Sequence, residues 1–311
     1  MGKIIAICIS EKKGTQKKVV DSAVLKPDWG IVGDAHAGNW HRQVSLLSVE
    51  KIEDFRAKGV QVDFGAFGEN LVAEGFDLRN IPVGTRLQAG DAVLEITQIG
   101  KECHSHCSIY HVMGDCIMPR EGVFAKVMKG GTIFPGTEVE LLPLDSERPF
   151  TAAVITLSDK GAAGQREDKS GSLIQEILNG QGYEVIERLL LPDGRAALER
   201  QLCRLSDQRQ VDVIFTTGGT GFSERDMTPE ATIAVCDRMA NGIAEAIRQY
   251  SLTITGRAML SRAVSGIRKK TLIVNLPGSP KAVKESLEYV LPHLEHGLGI
   301  LRGTDGECGK E

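Results

Sequence analysis

No run in this 311-residue chain approaches the roughly 20 consecutive apolar positions that a bilayer-crossing helix needs. No membrane partner is therefore expected. The opening segment, MGKIIAICISEKKG, is too short and too soon charged to read as a signal peptide, which makes a cytoplasmic location the expectation. A basic excess is also missing. With a formal net charge of -4 the chain lacks the general electrostatic attraction on which nucleic-acid binding rests, so no nucleic-acid partner is expected. The cluster Lys12, Lys13, Lys17 and Lys18 reads as a solvated loop. Cysteine is sparse: seven residues, an odd number over a long chain, do not form the dense framework of a secreted disulfide domain, and reduced thiols are expected. No internal repeat is visible.

What is present divides in two. The length exceeds the size at which one hydrophobic core usually keeps growing. Short strand-like runs fill the first half, at residues 3–10, 43–48, 70–73, 85–88, 92–99 and 138–142, with glycine-rich turns between them and a short helix at 49–58. That rhythm predicts a small β-barrel over residues 1–143. From residue 150 it changes to apolar runs at 152–157, 184–191, 211–217 and 271–276, alternating with stretches whose apolar residues recur at helical spacing. A three-layer α/β domain with a mostly parallel sheet is predicted over 150–302. The polar segment 143–149, bracketed by Pro143 and Pro149, marks the boundary, and residues 303–311 read as a flexible tail.

In an open parallel sheet, ligands bind beyond the carboxyl ends of the strands, so the residues directly after each apolar run matter most. After the third run of the second half comes Thr217-Gly-Gly-Thr-Gly221, then Arg225-Asp-Met-Thr-Pro-Glu230. Its glycines allow backbone amides to approach phosphate oxygens, although such a turn is as often purely structural. Thr228 and Pro229 read as the cap and first turn of the next helix. After the fourth run, Asn275-Leu-Pro-Gly-Ser-Pro280 offers Ser279 as a cap and a helix N-terminus as a second anion site, or else an ordinary joint. Asp159 and Asp168 follow the first run, Asp193 the second, and Asp226 sits in the glycine loop. One such Asp is usually a turn residue; several converging on one sheet edge with two anion sites suggest a magnesium-nucleotide centre. Ser170 reads as a helix cap, with Asp168 facing the ligand.

These ordered segments, together with Thr156-Leu-Ser-Asp159, Asp168-Lys-Ser-Gly171 and Leu191-Pro-Asp193, resemble the molybdopterin adenylyltransferases, the MogA/MoaB proteins and the gephyrin G domain. The resemblance implies ATP-dependent adenylylation of molybdopterin during molybdenum-cofactor assembly, with Mg²⁺ required. It assigns Asp193 and Asp226 to metal and catalysis. Asp168, Ser170, Gly218, Gly219, Thr220 and Gly221 would bind pterin or phosphate, and Pro277, Gly278 and Ser279 would lie at the nucleotide. It also implies a homotrimer through the second half and contacts with other cofactor-assembly proteins. Where the family often has a second acidic residue after Pro-Asp, this chain has Gly194. The alternative class is a non-catalytic pterin or nucleotide scaffold; retention of both Asp193 and Asp226 argues against it.

In the first half, residues 101–116 hold Cys103, Cys107 and Cys116 with His104, His106 and His111. Such density suits a metal or sulfur site, or a mixture of buried Cys and exposed His, and its spacing matches no common zinc or iron-sulfur module. Gly33-Asp-Ala-His36, Arg42-Gln-Val44, Phe67-Gly-Glu-Asn70 and Gly100-Lys-Glu-Cys103 together resemble the MOSC domain, a β-barrel family linked to the molybdenum cofactor. That resemblance implies a role in binding or delivering the cofactor or a sulfur species, with Cys103 as the thiol. On the residues alone, the turn at Asp34 is equally a plain β-turn in which the carboxylate bonds its own backbone.

Overall fold

The computed structural model describes residues 1–103, 110 and 114–304. The chain divides into two units, Met1–Asp145 and Ser146–Glu311.

The first unit is a closed barrel. Its strands are β1 (Gly2–Ile9), β2 (Lys18–Val20), β3 (Ala23–Lys26), β4 (Gly30–Ile31), β5 (Val44–Ser48), β6 (Leu71–Glu74), β7 (Arg86–Ala89), β8 (Ala92–Ile99), β9 (Val123–Lys129), β10 (Gly131–Ile133) and β11 (Glu138–Leu141), with helices α1 (Val49–Arg56) and α2 (Met118–Glu121). The ring runs β1-β6-β5-β9-β8-β7-β11 and closes back on β1; β2 adds to β1 outside the ring, and β10, β3 and β4 form a small separate sheet. All ring pairings are antiparallel except β5 with β6.

Alternation explains which side chains fill it. On β1, Ile4 and Ile7 point inward among Leu46, Leu71, Leu87 and Leu94, whereas Ala6 and Cys8 point outward against Ile52, Phe55 and Phe67 beneath α1. Residues 4 and 7 share a face because the register slips between Ile4 and Ala6, the signature of a bulge. The interior between Ile4, Leu46, Leu71 and Leu94 leaves a void of about 10 Å³, too small for a ligand.

Charged groups are buried in this unit, among them Lys17, Asp34 and Glu69. Lys17, read from sequence as part of a solvated loop, is in fact fully buried: its Nζ lies 2.6 Å from Asp34 Oδ2, with both side chains at 0% exposure. The local run of lysines conceals this, because only the fold brings position 17 against Asp34. Asp34 does bond its own turn, accepting from the His36 amide at 3.0 Å, and also accepts from the Ser10 amide at 3.0 Å. Burial would raise its pKa, but the bonds from His36 and Lys17 outweigh it and hold the carboxyl well below the usual range.

Glu69, at 0% exposure, accepts from the amides of Gly65 at 2.6 Å and Phe67 at 3.1 Å. Burial nevertheless pushes its pKa from 4.5 up to about 7. Between those values the folded barrel keeps a proton that the unfolded chain has released, so stability falls as pH rises through this window and levels off above it. The loss is expected to be on the order of 3 kcal/mol at most. Both tryptophans, Trp29 and Trp40, lie in this unit, so urea unfolding followed by tryptophan fluorescence from pH 5 to pH 8 reads it directly. A midpoint that rises across that range, or a slope unchanged in Glu69→Gln, would contradict this assignment.

The second unit has three layers. Its sheet runs β13 (Glu184–Leu191), β12 (Thr151–Leu157), β14 (Val213–Thr217), β17 (Thr271–Leu276), β16 (Ser265–Arg268) and β15 (Arg238–Met239), the first four parallel and the last two antiparallel. Its helices are α3 (Asp159–Ala162), α4 (Lys169–Gly180), α5 (Arg195–Asp207), α6 (Thr228–Val235), α7 (Asn241–Leu252) and α8 (Pro280–Arg302). Alternation on the covered strands separates two cores: Val154, Phe215 and Val274 pack toward α4 and α8, while Ile155, Ile214 and Ile273 pack toward α5 and α6. The parallel strands are the apolar runs read from sequence; β15 and β16 are too short and polar to show a pattern there. Among the described residues no helix is long and apolar enough to cross a membrane.

Candidate active site

The chain leaves β12 for β13 on one side and reaches β14 on the other, so the strand order switches direction at β12, the place where open α/β sheets form a ligand crevice. A pocket of about 520 Å³ lies there. It is lined from the ends of four strands by Thr156 and Leu157, Asp193, Thr217 and Gly218, and Gly278.

The glycine loop after β14 needs its glycines. Gly218 has φ 95° and Gly219 φ 64°, and a Cβ would meet Leu157 O at 2.4 Å in the first and Thr228 Oγ1 at 2.4 Å in the second. Thr228 is not the cap expected of it. Met227 holds that position, and Thr228 instead donates its hydroxyl to Gly218 O at 2.9 Å and its amide to Gly219 O at 3.1 Å, closing the loop on itself. Asp226 Oδ2 accepts from the Ser223 amide at 3.0 Å. The whole loop is clamped by Arg262, a residue for which sequence spacing provides no signal. Its Nε donates to Gly221 O at 2.6 Å, its other nitrogens reach Asp226 O and the Glu230 carboxylate, and its amide donates to Thr220 O at 3.0 Å.

At α4 the capping role also differs from expectation. Asp168 is the N-cap: Oδ1 accepts from the Gly171 amide at 2.8 Å, and Oδ2 accepts from the Thr156 hydroxyl at 3.0 Å. Asp is as good a cap as Ser, and Ser170, two residues further on, has a better use. It is buried and donates to Gly278 O at 2.9 Å, joining the first loop to the fourth. Ser279 caps α8 through the Ala282 amide at 3.3 Å, with Pro280 as the first helical residue, as its sequence predicts. Beneath the site, fully buried Asn275 donates to Thr216 and Thr232 hydroxyls, each at 2.9 Å, and Thr217 Oγ1 donates to Pro277 O at 2.6 Å.

Of the residues singled out in sequence, Asp168, Ser170, Asp193, Gly218, Gly219, Asp226 and Gly278 therefore line one pocket, while Thr220, Gly221, Pro277 and Ser279 flank it. The lining also brings Arg166, Glu167 and Lys169. Gly194 caps α5 with extended backbone, and a Cβ there would meet nothing within 4 Å, so no steric reason demands glycine. In the first unit, Cys103 is exposed just beyond β8, and Cys116 is half-buried. Cys107, His104, His106, His111 and the tail from 305 lie outside the described residues. Among the described residues no three His, Cys, Asp or Glu side chains gather as a metal cage. Buried Cys8 is pushed up to about 12 by desolvation and nearby Glu69, which leaves it a protonated core thiol.

Residues 153–296 match the family described as "Probable molybdopterin binding domain", and residues 33–140 match the MOSC domain. The molybdopterin adenylyltransferase of Helicobacter pylori is 41% identical over 153 residues, which cover 49% of this chain and 87% of that protein. The chain belongs to the molybdopterin adenylyltransferase family. Membership is carried by the second unit, since the family match begins at residue 153. The family's Escherichia coli K12 member is 44% identical over 140 residues, covering 44% of this chain and 71% of its own. The crystal structure of the molybdopterin biosynthesis enzyme MoaB from Thermus thermophilus is 45% identical, covers 50% of this chain and 97% of its own, and superposes with a TM-score of 0.48.

Proposed function

We propose that the second unit catalyses Mg²⁺- and ATP-dependent adenylylation of molybdopterin. The observation that supports this reading best is the meeting, in one pocket of about 520 Å³, of loops from four strand ends that carry the family's segments. In the reaction a terminal phosphate oxygen of molybdopterin attacks the α-phosphorus of ATP. A new P–O bond forms as the bond from that phosphorus to the bridging oxygen breaks, and pyrophosphate leaves with the bridging oxygen.

The protein's own part is to hold anions in line. Amides of the 218–221 loop and of Gly278 and Ser279, at the N-terminus of α8, supply donors and a favourable dipole for phosphate groups, and Pro277 fixes the turn that leads to them. Asp168 and Ser170 shape the pterin side, and the Ser170–Gly278 bond sets its distance from the nucleotide loop. Asp193 and Asp226 would hold Mg²⁺: carboxylate oxygens from two loops, in a pocket lined among the described residues by no thiol or imidazole, are a donor set suited to a hard cation. Such an ion, when bound, neutralises charge on the phosphates. A homotrimer and a cytoplasmic location belong to the same reading. Incubating the chain with ATP, Mg²⁺ and molybdopterin should release one pyrophosphate per molybdopterin consumed. Pterin binding without pyrophosphate would make the unit a scaffold instead.

For the first unit, the MOSC match and the exposed Cys103, in the segment that follows β8, support a role in binding or delivering the molybdenum cofactor or a sulfur species, with Cys103 as the thiol. Cys103→Ser is expected to abolish bound molybdenum or persulfide and to leave adenylylation intact. Equal losses in Cys107→Ser and Cys116→Ser, with stoichiometric zinc, would replace this reading by a structural metal site.

A further inference from the structure

We infer that Arg225 and Asp159 are positioning residues that set the relation between Asp193 and Asp226; the inference rests on the reading of those carboxylates as the metal-holding pair. Asp193 follows β13 and Asp226 follows β14, and β12 lies between these strands. No ladder hydrogen bond joins β13 to β14, so the sheet alone does not fix how the two carboxylates face each other.

The link is made at the loop after β12. Asp159 and Asp193 bond reciprocally: the Asp159 amide donates to Asp193 Oδ2 at 3.2 Å, and the Asp193 amide donates to Asp159 Oδ1 at 3.1 Å. From the other side, Arg225 grips the same Asp159 carboxylate with both arms, Nη1 at 2.6 Å from Oδ2 and Nη2 at 3.0 Å from Oδ1. Nη2 also donates to the Asp193 carbonyl at 3.2 Å. One guanidinium thus touches the turn that presents Asp193, and its own backbone is joined directly to Asp226.

Stability is a poor explanation for this arrangement. The Arg225 and Asp159 side chains are 62% and 38% exposed, and pairs that open to water contribute about 0–1 kcal/mol. The planar fork does supply orientation, which a lysine ammonium, as a point charge, cannot reproduce. Partners that orient metal-holding carboxylates typically change metal affinity by about 10- to 100-fold when removed.

The test uses the full chain, Mn²⁺ followed by electron paramagnetic resonance, and an α,β-methylene analogue of ATP that cannot be cleaved at the reacting bond. Arg225→Ala and Asp159→Asn should each weaken Mn²⁺ in the ternary complex by about tenfold or more, with Arg225→Lys recovering only part. Analogue affinity without metal should stay within about twofold, and the melting temperature within about 2 °C, since an exposed pair contributes little to either. Three results overturn the inference: wild-type Mn²⁺ affinity in all three variants; loss in Asp159→Asn alone, which makes Asp159 a ligand; or loss of metal-free analogue affinity in Arg225→Ala alone, which makes Arg225 a phosphate ligand. Should the wild-type chain bind no Mn²⁺ with the analogue, the metal-holding role of Asp193 and Asp226 fails first, and the inference with it.

Discussion

Asp226→Asn is expected to slow adenylylation by about 100-fold or more while molybdopterin affinity changes little, because a well-placed group that balances developing charge acts mainly on the transition state. The substitution is a clean one here. Asp226 Oδ2 accepts a hydrogen bond from the Ser223 amide, and Arg262 holds the Asp226 carbonyl, so an Asn that keeps one oxygen in place leaves the loop closed and removes only the charge. Asp193→Asn should behave in the same direction, since its carboxylate accepts from the Asp159 amide and Asn can retain that bond. Initial rates and pterin affinity measured side by side decide the matter. Unchanged turnover in both variants would remove the two carboxylates from the mechanism.

The second large effect concerns the barrel. Lys17→Met is expected to destabilise the first unit by about 3–5 kcal/mol, the usual cost of leaving one charge of a buried pair alone. Asp34 would keep the amides of Ser10 and His36 as donors, but the buried ammonium that offsets its burial would be gone. Adding Asp34→Asn should recover part of the loss by removing the stranded charge. Urea midpoints read by Trp29 and Trp40 report this unit alone. A Lys17→Met midpoint within about 1 kcal/mol of wild type would show that the pair is not held as a buried charge.

Much of the fold was legible because its signals are local. The four parallel strands are mostly apolar runs, and Ser279-Pro280 opens α8 by ordinary capping chemistry. β9 escaped notice for a physical reason: its apolar run Val123-Phe-Ala125 is only three residues long before Lys126, too short to read as a buried strand, and all three are buried, so no period-two alternation marks them either. At the site, residue types and strand ends were enough to gather Asp168, Asp193, Asp226 and the glycine loop, but not to assign their bonds. Asp168 and Ser170 are both able to cap, and only contacts with Thr156 and Gly278, distant in sequence, decide between them. Arg225 and Arg262 act across 66 and 41 residues respectively, and no spacing rule reaches that far. Lys17 shows the same limit, because burial of a lysine in a basic run depends on a partner that local sequence does not reveal.

The most direct measurement follows labelled phosphorus. The chain is incubated with Mg²⁺, molybdopterin and ATP carrying its label at either the α- or the γ-phosphorus, and the products are separated. The account predicts that the α-label moves onto molybdopterin while the γ-label appears in pyrophosphate. Transfer of the γ-label to the pterin, or both labels remaining in ATP while molybdopterin stays bound, would contradict it.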